Sequence, residues 1–553
     1  MAGRKQVRLP LPTTHYFIPP TPIPRRRQPN ASVRPDQELS MSPLAKMPTA
    51  LRLLPCLGVP LMCVVVLVAV RTATFPSYQT RPPPCNATDQ DFIPATAERL
   101  DRLGRAITFR TVSYAPGRGT PQELLKLADF IRDSFPLLHS FPLVTREVVG
   151  NFSLLYRVQG SDRSLNPGLL AAHLDVVPVT EEPGWEAGPF SGQQKDRFVY
   201  GRGTMDTKQT LMGSLEALEF HLKRGHRPRR TLFLAFGHDE EVLGHYGAQK
   251  IAELLEKREV KLEFVVDEGF AVTKDFVPGV DKKVALLSVT EKGYLTVRLS
   301  VRMKGGHGSM PEKESAIGVL SQAVTNLERN QQPNLWGSGP ERDLAEHLAT
   351  EMSLPHRVIA SNLWLFAPVL RWVLTREAAT NALCRTTTAV TRFDAGIKDN
   401  VIAPEAVAIV NHRVHPRQTI QEVLDHDAKV MNDPRVKIEV LESFDPAPVS
   451  PSGPESPAYM AVQETIQQIF PDSLVAPAVQ TGFTDARRYW KLTSAIYRFS
   501  PNVMGPEDHA RLHGVNERIS IRDYERTMNF YFHLMRNVDK PLVVRSHEHD
   551  GDL

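Results

Sequence analysis

Residues 231–241, TLFLAFGHDEE, run apolar for most of their length and then stop on four titratable side chains, His238, Asp239, Glu240 and Glu241. A short, unbroken apolar run predicts a strand covered on both faces, because a strand with one wet face alternates. Two further runs share the design: 169–175, LLAAHLD, which ends on His173 and Asp175, and 264–267, FVVD, which ends on Asp267. Between them, residues 207–224 and 247–257 carry apolar side chains at helical spacing. Buried strands alternating with helices predict an α/β domain with a mainly parallel sheet. In such sheets functional groups collect just beyond the carboxyl ends of the strands. These acids and histidines stand there.

Working outward, the pattern changes at Lys292. Leu295, Val297, Leu299, Val301 and Met303 alternate with Thr296, Arg298, Ser300 and Arg302, which predicts a strand wet on one face. A helix at 314–329, strands at 385–393 and 405–414, a helix opened by a capping box at Thr419–Glu422 and a strand at 436–443 complete the segment. The order β-α-β-β-α-β is a ferredoxin-like α+β module, interrupted by an insert of about 55 residues. The expected organisation is a catalytic domain in two pieces, 87–290 and 444–540, around an inserted module at 291–443, with a tail at 541–553. Thr120–Glu123, with Pro121 inside it, predicts a second capping box. Residues 361–374, SNLWLFAPVLRWVL, predict a helix packed in a core, with an acyl-lining groove as the alternative.

The chain has 553 residues, 41% hydrophobic and 23% charged, which suits a globular protein of more than one domain. Its net charge of +4 is unevenly placed. Residues 1–52 hold nine Lys/Arg against two Asp/Glu, leaving 57 against 60 elsewhere. A slightly acidic body excludes nucleic acid as a partner. The Pro- and Arg-rich stretch 1–52 reads as a disordered basic extension. Residues 53–70 contain no charge, which fits a signal-peptide core or a signal anchor. The positive N-terminal flank directs the remainder of the chain to the lumen or the exterior. The expected location is therefore secreted, or membrane-anchored in a single pass with the body outside. Asn86 and Asn151 open sequons and are candidate glycosylation sites. Four cysteines, two of them in the apolar run, make neither a disulfide framework nor a thiolate zinc site. Any metal must be held by histidines and carboxylates.

Singly, these polar residues are bland: His173-Leu174-Asp175 a strand end, Glu240-Glu241 a solvated turn, Asp206 a helix cap, Asp267 a loop acid. One sheet, however, brings them to one edge. Several carboxylates converging in a cleft repel, and a pair of cations is the economical compensation. Imidazole and carboxylate both suit zinc. On a strand His173 and Asp175 leave the same face, so Asp175 is expected to receive the imidazole N–H.

The runs AAHLDVVP (171–178), YGRGTMD (200–206), FGHDEE (236–241), VVDEG (265–269) and RLHGVNE (511–517) resemble, in that order, the di-zinc aminoacylase and carboxypeptidase family of metallopeptidases. The likeness covers nearly the whole body. It implies two Zn²⁺ ions per active site, one ended by His173 and Asp267, the other by Glu241 and His513, with Asp206 bridging. It also implies Glu240 as general base and Asp175 as partner of the first histidine. Thr207 stands where many members carry a second acid. By the same resemblance the inserted module is a lid, and a dimerisation surface for a possible homodimer. His307, in GGHGSMP, would polarise the scissile carbonyl, and Arg413, with Asn400 upstream, would grip a substrate carboxylate. Longer stretches, RTTTAVT, HRVHP and HGVNERIS among them, resemble a branch acting on N-fatty-acyl amino acids. The expected activity is hydrolysis and reversible synthesis of N-acyl, here N-fatty-acyl, amino acids, with fatty acid and amino acid as the other small-molecule partners. A dipeptidase or carboxypeptidase is the alternative within enzymes. A metal-free binding protein is the alternative outside them.

Overall fold

The computed structural model describes residues 49–179 and 184–543, with side-chain surroundings from residue 59 onward. The expected extension 1–52 lies outside these residues apart from its last four positions, as does the tail after 543. The chain falls into two units, residues 1–65 and 66–553. A helix, Thr49–Thr74, carries the apolar run from the first into the second. Among the described residues no helix is long and apolar enough to cross a membrane.

The larger unit is built on a ten-stranded, mixed sheet. In space its strands run Val144–Val149, Ser153–Val158, Leu232–Gly237, Gly168–His173, Phe264–Asp267, Ile496–Arg498 and Lys283–Glu291, then Val272–Thr273 and Val503–Met504. Ser473–Gln480 also pairs with Lys283–Glu291. The centre is parallel: Gly168–His173 pairs in parallel with Leu232–Gly237 and with Phe264–Asp267. These strands are buried from end to end because both faces are covered. Leu170, Ala172, Leu234 and Phe236 pack with helices Lys208–Lys223, Pro457–Ile469 and Ile521–Asn537. Leu169, Ala171, Phe233 and Ala235 pack with helix Ala248–Lys257. Period-two alternation thus divides one apolar run between two cores. Truncating one such leucine to alanine costs about 2–5 kcal/mol.

The inserted module is a four-stranded antiparallel sheet whose spatial order is Thr387–Ala395, Glu405–Val414, Gly293–Arg302, Lys437–Phe444. Helices Ala316–Arg329 and Ile420–Met431 cover its apolar face. The Thr419 capping box forms: the Glu422 N–H donates to Thr419 Oγ1 at 3.2 Å, and the Thr419 N–H donates to Glu422 Oε2 at 2.8 Å.

Two local expectations are corrected. The helix Pro121–Ser134 is present, yet Thr120 makes no side-chain cap. Its hydroxyl instead accepts from the Val112 N–H at 2.8 Å and donates to the Arg110 carbonyl at 2.7 Å. Residues 361–374 form helix Leu363–Val373, but within it only Leu363 is buried. Cys63, Cys85 and Cys384 are unbridged. Asn86 and Asn151 are both exposed.

Candidate active site

The parallel register sets the site. His173 lies level with Gly237, so the residues following both strands emerge together. His173 ends its strand, Glu240 and Glu241 follow Gly237 in a short 3-10 turn, and Glu268 is the first residue beyond Phe264–Asp267. Asp206 stands one residue before Thr207, the N-cap of helix Lys208–Lys223, and His513 arrives from the C-terminal segment.

Asp206 sits between two histidines. Its Oδ1 is 2.9 Å from His173 Nε2 and its Oδ2 is 3.0 Å from His513 Nε2. His173 Nε2 also lies 3.4 Å from Glu268 Oε1, and His513 Nε2 lies 3.3 Å from Glu241 Oε2. Two groups result, His173–Asp206–Glu268 and Asp206–Glu241–His513, each with its donor atoms within 4.8 Å of one another. They share one carboxylate.

Glu268 stands where the sequence reading placed Asp267. The Asp267 carboxylate is turned into the protein, accepting from the backbone N–H groups of Glu268 at 2.9 Å and Ala486 at 2.8 Å. As the last residue of a fully buried strand it braces the backbone, and the next side chain is the one free to face the cleft. Asp175 does adjoin the first histidine, chiefly through its backbone. His173 Nδ1–H donates to the Asp175 backbone carbonyl at 2.9 Å, while the carboxylate stands 3.4 Å away. That carboxylate accepts from the N–H groups of Glu240 and Glu241, at 3.1 and 3.2 Å. Asp175 therefore orients the whole Glu-Glu turn.

The electrostatics are those of an over-acidic pocket. Burial, with Glu268 and Glu241 alongside, pushes the Glu240 carboxyl well above the usual range. Burial and the neighbouring Asp206 raise Glu241 to about 7 and Glu268 to about 8. His513, bonded to Asp206 and Glu241, rises to about 10. Burial opposes a charge on His173, but Glu268, Asp175 and Asp206 carry its pKa well above normal. Protons thus gather wherever a cation would relieve the same repulsion. Imidazole and carboxylate oxygen are the donors that first-row dications take, so the residues fit a shared metal pair. Thr207 is buried and supplies no donor to either group.

A cleft of about 390 Å³ opens over these groups, lined among others by Glu240, Glu241, Glu268, Arg413, Phe483 and His513. Arg413 comes from strand Glu405–Val414 of the inserted module, so the cleft spans both domains. Its guanidinium lies 4.9 Å from the Tyr294 ring centre and 5.5 Å from that of Phe483. His307 and Asn400 are brought to each other instead, the Gly308 N–H donating to the Asn400 carbonyl at 2.8 Å, and neither lines the cleft. His307 is exposed, with Nδ1 2.7 Å from Ser309 Oγ.

Sequence reasoning gave no role to Glu517. It is fully buried, 2.6 Å from Arg202 Nη1, and its Oε1 accepts from the N–H groups of Gly203, Met205 and Asp206 at 3.0, 2.8 and 3.2 Å. It holds the loop that presents the shared carboxylate. Gly203 has φ 91°, and a Cβ there would meet Val176 Cγ1 at 2.8 Å, so this loop needs glycine.

A doubly wound sheet with paired histidine–carboxylate groups at its carboxyl edge, under an α+β lid, defines a metal-dependent hydrolase of amide bonds. The chain belongs to peptidase family M20/M25/M40, which it matches over residues 169–537. It is 46% identical over 495 residues to the N-fatty-acyl-amino acid synthase/hydrolase PM20D1 of Xenopus tropicalis, covering 88% of this chain and 96% of that one. It is 45% identical over 451 residues to the Mus musculus protein of that name, covering 81% and 90%. A probable carboxypeptidase S-like protein of Dictyostelium discoideum is 43% identical over 452 residues, covering 80% and 86%. Among solved structures, the M20 metallo-carboxypeptidase Sso-CP2 of Sulfolobus solfataricus aligns with a TM-score of 0.59 at 19% identity, over 80% of this chain and all of that one. Human carnosine dipeptidase 1 aligns at 0.57 and 14%, over 80% and 96%. At such identities these two speak for the fold.

Proposed function

We propose that this enzyme cleaves, and in reverse forms, the amide bond between a fatty acid and the nitrogen of an amino acid, using two Zn²⁺ ions. The observation that carries the chemistry is the pair of donor groups sharing Asp206, with Glu240 beside them. The relatives named as N-fatty-acyl-amino acid synthase/hydrolases support the substrate class.

His173, Asp206 and Glu268 would hold one ion, and Asp206, Glu241 and His513 the other. Bound there, dications supply Lewis acidity and neutralise the acid cluster. The protein's own groups do the rest. Glu240, held by the N–H bond to Asp175, takes a proton from the attacking water and returns it to the departing nitrogen. The products are a carboxylic acid and an amine, and by microscopic reversibility the same groups run the condensation. Arg413 offers a planar fork to the amino-acid carboxylate on the lid side of the cleft.

The apolar run 53–70 behind a basic flank supports export, with the body secreted or tethered outside by that run. The lid module is the surface through which a homodimer would form.

The test is a substrate panel of N-acyl amino acids of graded chain length beside dipeptides, run on wild type and Glu240→Gln. Long-chain acyl amino acids should be preferred, free fatty acid and amino acid should condense in the same preparation, and Glu240→Gln should lose about 10²- to 10⁴-fold in turnover. A preference for dipeptides would remove the substrate assignment. Full turnover by the variant would remove Glu240 as the base.

A further inference from the structure

Helix Leu363–Val373 presents six apolar side chains on one side: Trp364, Leu365, Pro368, Val369, Trp372 and Val373. Their relative exposures include 50% for Trp364, 56% for Val369 and 60% for Trp372. At 100° per residue the six fall within half of the helix circumference, with no polar residue among them. The opposite side, through Ala367 and Leu370, packs on a small core around Trp336 and Cys384. A half-turned apolar helix on an enzyme surface marks an interaction site.

Three observations select its occupant. Residues 361–376 contain no acid and two arginines, Arg371 and Arg376, the latter 3.6 Å from the Trp372 ring centre. Tryptophan flanked by arginine suits the boundary between acyl chains and headgroups, where the ring is half apolar and the cation meets anionic phosphate. The helix also continues an apolar surface already present. The last turns of helix Thr49–Thr74 dock beside it, with Asn362 Nδ2 donating to Thr72 Oγ1 at 3.0 Å and Arg357 Nη2 donating to the Thr72 carbonyl at 3.1 Å. Val66, Leu67 and Val70 remain exposed there.

We infer that helix Leu363–Val373, together with residues 66–70, is a docking face that lays the enzyme on a phospholipid bilayer, Trp364 and Trp372 entering the headgroup boundary. The inference is independent of which amide is cleaved.

The test uses the full chain with vesicles of phosphatidylcholine and phosphatidylserine, some carrying brominated acyl chains. Tryptophan emission of the wild type should be quenched by the brominated lipid. W364F/W372F, which keeps the apolar face, should lose at least about half of that quenching, and W364S/W372S should partition roughly tenfold more weakly at unchanged thermal stability. Quenching that ignores W364F/W372F, or partition that ignores W364S/W372S, would mean the face does not touch lipid and would overturn the proposal. Self-association abolished by W364S/W372S, with no bromolipid quenching, would assign the face to a second copy and equally overturn it.

Discussion

Replacing Glu517 by glutamine tests how the shared carboxylate is held. The glutamine oxygen can keep the N–H groups of Gly203, Met205 and Asp206, which all converge on one atom of Glu517. What it cannot keep is the charge opposite Arg202, whose guanidinium is 2.6 Å away on a residue 2% exposed. Removing one partner of a buried pair costs about 3–5 kcal/mol, chiefly through the stranded charge. Arg202 retains the Gly514 carbonyl at 2.9 Å and faces the Trp185 ring, so a loss near the lower end, about 3 kcal/mol, is expected. Because the loop carries Asp206, metal affinity should fall as well, by about 10- to 100-fold. Urea unfolding of the metal-free protein measures the first effect and metal titration the second. If stranded charge is the cause, R202M/E517Q should be more stable than E517Q alone. A single variant within about 1 kcal/mol of wild type, or a double variant no better than the single, would refute the reasoning.

Three further variants test the site and the core. Glu268→Gln should lower the metal content of the purified enzyme while leaving its fold stable. Asp267→Asn should keep the metals but cost about 1–3 kcal/mol in denaturant, since one of two buried N–H groups loses its acceptor; metal analysis and unfolding of both variants separate the roles. His221 is buried, with Nε2–H donating to the Phe532 carbonyl at 3.0 Å, and burial lowers its pKa to about 4. The unfolded chain therefore binds the extra proton between about pH 4 and 6.5, so stability falls as pH drops through that window. His221→Asn should flatten the slope by about 1.4 kcal/mol per pH unit, measured by urea unfolding at several pH values.

The buried strands were legible because burial on both faces forces a run of apolar residues, and their ends because the run stops on charge. Strand Glu405–Val414 matches its predicted span, since its wet face imposes strict alternation. The structure turns Glu268, and not the expected Asp267, towards the cleft for a reason within one residue. Two adjacent acids at a strand end point opposite ways, and sequence alone does not say which of them the neighbouring backbone claims; here the Ala486 N–H, 219 positions away, claims Asp267. The expectation that groups lie beyond the strand, applied strictly, would have favoured Glu268. Glu517 was invisible for a similar cause, since its partners at 202–206 are over 300 positions distant. For residues 361–374 the sequence left a core helix and an acyl-lining groove as alternatives, because an apolar stretch reads the same whether protein or something else covers it.

The strand Ile496–Arg498 lies between Phe264–Asp267 and Lys283–Glu291, its C-terminal residues wedged between two neighbours that are close in sequence. During synthesis, the first 290 residues leave the ribosome with a gap in the middle of the sheet. They wait for a further two hundred to be made, the whole lid among them. Until then two hydrogen-bonding edges stay open, the situation in which nascent chains pair wrongly with each other. Truncation between residues 291 and 496 leaves both flanking strands without the one that joins them, as well as an enzyme without His513, and open edges of that kind favour aggregation.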